Sequence, residues 1–482
     1  MAKLVLTPTG SGKEGHPLLA LAYIGSYLRK YLKFNNIKIV EKELDIVKAI
    51  LKEKPDVVGI SSVTLFFSQA IKIANEIKSQ TDIPVIVGGS HITAIPYTLG
   101  KNFDVAVLGE GEQIILELMR TYLDYHEFNP KNLKKIKGIA FHENGKVKIN
   151  ERQKLIEPLD KIPYPARDLY KMEEVYLIPR VTFSTAKISR SAHMLTSRGC
   201  PYKCTFCASA CFWQKIRFHS PEYVVGEIKH LIKTYNVYEI NIFDDLFIAD
   251  KQRFKKIVEM LELEGITEKC NFRIHGRANL IDKETCELLK RMKVKNIGIG
   301  FESASPKVLK YLKKGTTTVE QNRNTVKLLN QYNIPIQGLF MIGSPHETKE
   351  DMMKTLEFIR NNKIETLDIG LTTPYPGTEL WDYAKGRGLV SDDMDWDNFF
   401  VQPVDGGGGN IHLDEEISKE ELMKMFKLFS KEQEMRNIPL RNFKLRDMFS
   451  LGLVKLAIKR PRQTMRVASN FIKRKISKTE SN

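Results

Sequence analysis

Short apolar runs recur along this chain with longer helix-like stretches between them, and they fall into two blocks. In the first, residues 1 to about 130, the runs LVLT, IKIVEKEL, DVVGISS, PVIVGG and DVAVLG alternate with stretches such as LLALAYIGSYLRKYL and FSQAIKIANEIKSQ. Strand–helix alternation of this kind predicts a parallel sheet with helices on both faces. Glycines stand at the strand ends (Gly59, Gly88, Gly89, Gly109, Gly111), at the carboxyl edge where open α/β sheets hold their ligands. In the second block, residues 196 to about 390, the strand candidates are HMLTS, YEINIF, NFRIHG, NIGIGFE, IQGLFMIG and TLDIGLTT. Six strand–helix units predict a partial (β/α)6 barrel of TIM type, with its chemistry at the carboxyl ends of the strands. Between the blocks, GIAFHENGKVKIN reads as a hairpin with Asn-Gly at its turn, and LDKIPYPARDLY as an extended crossing. The expected divisions are 1–135, a connector at 136–195, the barrel at 196–400 and a helical, basic extension at 401–482.

Four of the six cysteines lie within twelve residues: Cys200, Cys204, Cys207 and Cys211. A disulfide framework would spread them, so the cluster points to metal or redox chemistry in a reducing compartment. The segment TSRGCPYKCTFCAS follows a strand candidate and precedes a helix. Three thiolates on one tight loop can each hold one iron of a four-iron cubane, leaving the fourth iron open to a ligand. A zinc site with Cys211 or His219 as fourth ligand is the competing reading. Cys211, Cys270 and Cys286 otherwise read as packing thiols.

The whole chain is ordinary in composition, 42% hydrophobic and 28% charged, which excludes a disordered, collagen-like or polytopic membrane protein. No run approaches the ~18–20 apolar residues that cross a bilayer, and the N-terminus lacks the apolar core of a secretory signal, so the expected compartment is the cytoplasm. The excess of 17 positive charges is concentrated at one end: from Arg436 onward there are 13 Lys/Arg and two acids. This argues against nucleic-acid binding by the chain as a whole.

The C-x3-C-x2-C loop, with Phe206 before its last cysteine, resembles the radical SAM enzymes. The resemblance implies that Cys200, Cys204 and Cys207 hold a [4Fe-4S] cluster, that S-adenosylmethionine chelates the open iron, and that an external electron donor drives its cleavage to a 5′-deoxyadenosyl radical. It also implies cofactor contacts along the barrel. Asp244, beside Asp245 at the end of the second strand, would face the methionine amine. Arg277 lies after the third strand, near Arg273. Glu302 would reach S-adenosylmethionine, or else pair with Arg277, and Gly343 would allow close approach of the adenine. The segment TPYPGTEL would cap the barrel mouth.

The first block, through HPLLALAYIGSYLR, PDVVGISSVT, VIVGGSHIT and FDVAVLGEGE, resembles the flavodoxin-like (Rossmann-like) cobalamin-binding domain fused to one radical SAM subfamily. That resemblance implies that Ser61, Ser62 and Thr64 face the corrin. Gly88 and Gly89 would admit its nucleotide tail, and Gly109, Glu110 and Glu112 would close the rim. No D-x-H-x-x-G motif follows the first strand, so no histidine is expected beneath the cobalt; His16 and His91 are weak candidates, His91 for a cofactor amide. A cofactor-free docking domain is the bland alternative. The implied activity is methyl transfer to an unactivated carbon of a small-molecule or lipid substrate; the rivals are oxidative cyclisation or carbon–carbon coupling and, remotely, a cobalamin- or redox-responsive binding protein. Two cofactors serving one substrate require Ser61 and Gly88 to lie on the side nearest Cys200. The basic tail is expected either to pack on the barrel or to touch an anionic membrane surface.

Overall fold

The structure, a computed structural model, describes residues 2–10, 16–177, 180–181, 188–399, 411–413 and 415–437. The glycine run at 406–409 and the basic tail beyond 437 lie outside these residues.

The first block forms a seven-stranded sheet. Strands β1 (Leu4–Pro8), β2 (Ile37–Ile39), β3 (Val57–Ser61), β4 (Val85–Gly88) and β5 (Val105–Val107) are parallel, in spatial order 2-1-3-4-5. The period of two in the apolar runs covers both faces. Leu4 and Leu6 pack with the helices Leu19–Leu32 and Gly111–Tyr125; Val5, Val58 and Ile60 pack with Ile46–Lys52 and Phe67–Gln80. The predicted hairpin is present as β6 (Ile139–Glu143) and β7 (Lys146–Ile149). Asn144 and Gly145 both take positive φ, 50° and 76°, as a type I′ turn requires. It does not stand apart as a connector. Residues Val105–Val107 pair antiparallel with Phe141–Ile139, so the hairpin extends the sheet past residue 135.

The second block forms six parallel strands in sequential order: Ser191–Met194, Glu239–Ile242, Asn271–Gly276, Val294–Glu302, Ile336–Ile342 and Thr366–Leu371. The first and last do not pair, so the barrel is partial. An open strand edge exposes backbone groups that must find partners. At the last strand they are supplied by the helix Lys419–Arg436. The Asn437 amide both accepts from the Leu367 N–H (2.8 Å) and donates to its carbonyl (2.6 Å), and Gln433 accepts from the Ile369 N–H (3.2 Å). Arg436 caps the end of helix Lys349–Asn361 by donating to the carbonyls of Ile359, Asn362 and Ile364. Among the described residues no helix is long and apolar enough to cross a membrane.

Replacing Asn437 by alanine removes two of these bonds, a loss of about 1 kcal/mol each. Hydrogen exchange should then accelerate at the Leu367 amide while that of Ile369, held by Gln433, and the amides of the third and fourth barrel strands keep their protection.

Candidate functional site

The cysteine loop leaves the barrel after the first strand. A two-residue antiparallel ladder, Ser197–Arg198 against Arg217–Phe218, pinches its base. Gly199 turns the chain out of that ladder with φ +90°, and a Cβ there would stand 2.5 Å from the Lys215 carbonyl, so only glycine fits. The tip is pinned at Thr205, whose N–H donates to the Leu312 carbonyl (3.0 Å) and whose carbonyl accepts from the Leu380 N–H (3.1 Å). A tight turn follows, with the Cys207 N–H donating to the Cys204 carbonyl at 3.2 Å.

Cys200, Cys204 and Cys207 are all free and half-buried. Arg277 does not pair with Glu302. Its guanidinium lies 3.9 Å from the centre of the Tyr202 ring, donates to Cys204 Sγ (3.2 Å) and to Thr316 Oγ1 (2.5 Å), and so faces the loop from the barrel. Burial pushes the Cys200 thiol up and that of Cys207 up to about 11, with Asp245 and the neighbouring thiols adding to the effect. Thiolates crowded this way need a multiply charged cation, which an iron cluster supplies. The extra ligands of the zinc reading are turned elsewhere. Cys211 Sγ packs against Gly377, 2.9 Å from where a Cβ would stand. His219 is bonded to Asp160 (3.0 Å) and stacked on Tyr223. Among the described residues no three His, Cys, Asp or Glu side chains converge as a single-ion site.

Around the barrel mouth several expected contacts are redirected. Asp244 is buried and accepts from the Thr196 N–H (2.6 Å), Thr196 Oγ1 (2.5 Å) and Ser197 Oγ (2.7 Å). It braces the strand that launches the loop, and its oxygens are not presented to a ligand. Its neighbour Asp245 is the acid beside the cysteines, accepting from Ser209 Oγ at 2.5 Å. Glu302 sits at a register break with φ +61° and accepts from Lys313 Nζ at 2.8 Å, not from Arg277. Lys313 Nζ also stands 5.8 Å from the centre of the Phe206 ring, which links that aromatic to the Glu302 corner. Gly343 takes φ +80°, and a Cβ there would stand 3.1 Å from Leu422 of the C-terminal helix.

The carboxyl edge of the first sheet meets the barrel across a cavity of about 580 Å³. Ser61, Gly88, Gly89, Gly109, Glu110 and Glu112 line it from one side; Arg198, Phe212, Trp213, His193 and Phe243 line it from the other. Ser61 and Gly88 therefore border the same space as Arg198, two residues before Cys200, as the two-cofactor geometry requires. The cavity includes Leu6, Gly59 and Ile60, where the strand order reverses between β1 and β3, the switch point at which such sheets bind ligands. A Cβ on Gly109 would meet nothing within 4 Å, and one on Gly88 would come only to 3.6 Å of Val107, so at these two strand ends the floor is open, whereas Gly89 is packed against the Ser62 carbonyl, 2.1 Å from where its Cβ would stand.

Three residues assigned to that floor are not on it. Ser62 accepts from Thr9 Oγ1 (2.9 Å) inside the domain. Thr64 and His91 contact each other (3.3 Å), and the His91 ring stacks on Phe67 and abuts Trp396, fully buried. Burial alone pushes the His91 imidazole down to about 3, the mark of a neutral core histidine. The rim glutamates have a different task from the one expected. Glu110 accepts from Arg198 (2.7 Å) and from both terminal nitrogens of Arg217 (2.7 and 2.9 Å); Glu112 accepts from Arg198 (2.5 Å). All four side chains are buried. Burial works to raise the Glu110 carboxyl, but Arg217 and Arg198 together hold it below the usual range. These pairs clamp the first domain onto the ladder at the base of the cysteine loop. The cavity residues His193, Phe212, Trp213 and Phe243 were missed in the sequence. Phe212 and Trp213 directly follow Cys211, His193 is the last residue but one of the first barrel strand and Phe243 follows the second, so their signal is position and not residue type.

Two outcomes check this site. Arg198→Met leaves Glu112 buried without its partner, which should lower unfolding stability by about 3–5 kcal/mol in denaturant titration; adding Glu112→Gln should recover part of the loss. Cys211→Ala should retain the iron and sulfide content of the reconstituted protein, whereas Cys204→Ala should lose it.

Residues 194–359 match the Radical SAM superfamily model and residues 9–119 the B12 binding domain model. An uncharacterised methyltransferase of Pyrococcus horikoshii is 33% identical over 419 residues, covering 83% of this chain and 86% of that protein. The anaerobic magnesium-protoporphyrin IX monomethyl ester cyclase of Rubrivivax gelatinosus is 28% identical over 396 residues, covering 79% and 68%. Among solved structures, the radical S-adenosylmethionine methyltransferase TsrM from Kitasatospora setae, with tryptophan and a SAM analogue bound, superposes with a TM-score of 0.68 at 17% identity over 89% of each chain. With the cysteine loop, the glycine floor and these matches together, the chain belongs to the radical SAM superfamily, in the branch that carries an N-terminal cobalamin-binding domain, and its cofactors are a [4Fe-4S] cluster, S-adenosylmethionine and cobalamin.

Proposed function

We propose that the enzyme transfers a methyl group to an unactivated carbon of a small-molecule substrate. One observation carries this reading: the cavity between the domains is bordered both by the strand ends of the cobalamin-binding sheet and by Arg198, Phe212 and Trp213, which flank the cysteine loop. A space shared by the strand ends of one cofactor domain and the flanks of the other's cysteine loop suits a reaction in which one cofactor activates a carbon and the other delivers a group to it. When bound, the cluster and S-adenosylmethionine supply a hydrogen-abstracting radical and cobalamin a methyl donor, with a second S-adenosylmethionine replenishing the methyl and an external donor supplying the electrons.

The chain's own part is to hold and to shield. Cys200, Cys204 and Cys207 are the cluster ligands, and Arg277 donates to the Cys204 sulfur at 3.2 Å, which sets a positive charge beside the loop. Lys313 keeps the Glu302 carboxylate paired at the barrel mouth, where it is available to a ribose or amine. Leu19, Tyr23, Ile24, Phe212 and Trp213 give the cavity apolar walls, which exclude water from a reactive carbon-centred species. The expected membrane contact of the basic tail falls outside the described residues, and a lipid substrate rests on that contact alone.

Anaerobically reconstituted enzyme given reductant, S-adenosylmethionine and a cell extract should form deoxyadenosine and S-adenosylhomocysteine in equal amounts, with a product heavier by one methylene unit in mass spectrometry. A product lighter by hydrogens, with no S-adenosylhomocysteine, would instead establish oxidative cyclisation or coupling without net methylation.

A further inference from the structure

The interior of a (β/α) barrel is ordinarily filled with branched apolar side chains. Here the inward row is polar. Residues paired in register in a parallel sheet share a face, and His193, Asn241, Arg273 and Asn296 are paired across the first four barrel strands. Their chain neighbours Ala192, Ile240, Phe272 and Ile297 lie in the apolar core. Asn241 and Asn296 are only 5% and 2% exposed, yet Asn241 Oδ1 and Asn296 Nδ2 have no partner among the described residues. Neither does Oε1 of Glu239, two residues before Asn241 on the same face. Arg273 is half-buried and makes no hydrogen bond or ion pair among the described residues. Each unpaired buried polar atom weakens a fold by about 1–3 kcal/mol. Asn241 and Asn296 flank Arg273 in the register, and Glu239 lies near enough to feel its charge, so unpartnered polar atoms on neighbouring strands face the same side of the barrel as this guanidinium.

The third strand gives this site a direction. Arg273, His275 and Arg277 share one face at intervals of two residues, and about 13 Å separates the first from the last at ~3.3 Å per residue. Arg277 meets the Cys204 sulfur. His275 stands between: its register partner is Gly298, where a Cβ would come 2.4 Å from the imidazole, so the strand is hollowed to admit this ring. The His275 ring lies 6.4 Å from Phe243, and Phe243 lies 5.3 Å from His193; both of these line the interdomain cavity. The barrel interior and the cavity thus meet at His193 and Phe243. Of the charged groups facing the interior, Glu239 is a buried carboxyl that burial pushes toward the neutral form, although Arg273 draws it back, and Asp368 on the last strand is exposed.

Resting on the methyl-transfer reading, we propose that Arg273 anchors an anionic group of the substrate at the barrel floor, with Asn296 Nδ2 donating beside it and Asn241 Oδ1 accepting from a hydroxyl or amine of the same molecule. The substrate is a small acid, a carboxylate, phosphate or phosphonate, and its reacting carbon stands beside His275 and Phe243 between the cysteine loop and the cavity. Arg273 is then a specificity residue.

Binding is tested first without turnover. In equilibrium dialysis of the reconstituted holoenzyme against radiolabelled inorganic phosphate, Arg273→Gln should bind at least about tenfold more weakly than wild type, Arg273→Lys should fall between, and Asn296→Ala should also weaken binding. Each variant is accepted only with wild-type iron and cobalamin content. With methyl-trideuterated S-adenosylmethionine, reductant and the small-molecule fraction of an extract, the labelled product should be retained on an anion exchanger, and Arg273→Gln should lower its yield by a similar factor. Equal phosphate binding by wild type and Arg273→Gln, or a labelled product that passes the exchanger unretained, would overturn the proposal. Deoxyadenosine without any labelled product, alongside Arg273-dependent phosphate binding, would instead overturn methyl transfer and leave the anion site standing.

Discussion

The arrangement of both cofactor sites depends on one buried knot of charge. Glu110 and Glu112 begin the helix Gly111–Tyr125 of the first domain, and Arg198 and Arg217 face each other across the ladder that closes the cysteine loop. A buried ion pair adds little net stability when its geometry is complete, but breaking it strands a charge. Its effect here is therefore one of specificity: other dockings of the two domains would leave two carboxylates and two guanidiniums unpaired out of water. Arg198 also lies 5.1 Å from the Tyr23 ring centre and 5.5 Å from that of Trp213, so the same side chain sets two aromatic walls of the cavity. A second buried pair, Arg167 with Glu227 at 2.7 Å, ties the connecting segment to the barrel, and Arg167 also donates to the His193 carbonyl.

The partial barrel follows from the same economy of partners. Six strands leave two edges. The first strand carries the cysteine loop, and its end is braced by Asp244 and Arg253, which bond Thr196 from two directions. The last strand is completed by side-chain amides of the C-terminal helix. The open interior between these edges carries the polar inward row at Asn241, Arg273 and Asn296.

Much of this was legible from the amino acids. The strands and helices of both blocks stand where the apolar periodicities put them, and Asn144-Gly145 makes the turn its residues favour, because these choices are settled within a few residues along the chain. The cysteine loop was equally plain, since its three ligands span eight positions. The expectations that moved were those about direction. Asp244 and Asp245 are adjacent, and nothing local says which turns inward to Thr196 and which toward the thiols. Glu302 met Lys313 and not Arg277 because a register break in the fourth strand turned it. Ser62, Thr64 and His91 sit one to three residues beyond strand ends, where a small change in backbone direction moves a side chain from the ligand edge into the core. The hairpin at 139–149 was recognised, but its attachment to the sheet was not, since strand pairing carries no mark in either sequence alone.

By itself the sequence determined the two α/β units, their order, and a loop able to hold a cluster with an open iron: each rests on residue type and short spacing, which local stereochemistry reads directly. Only the tertiary structure decided how those units face one another and which polar side chains look into the space between them. Glu110 and Arg217 are 107 residues apart, and Arg277 and Cys204 are 73 apart. Contacts at such separations are selected by the free energy of burying charge with its partner, a quantity that belongs to the assembled fold and to no segment of it.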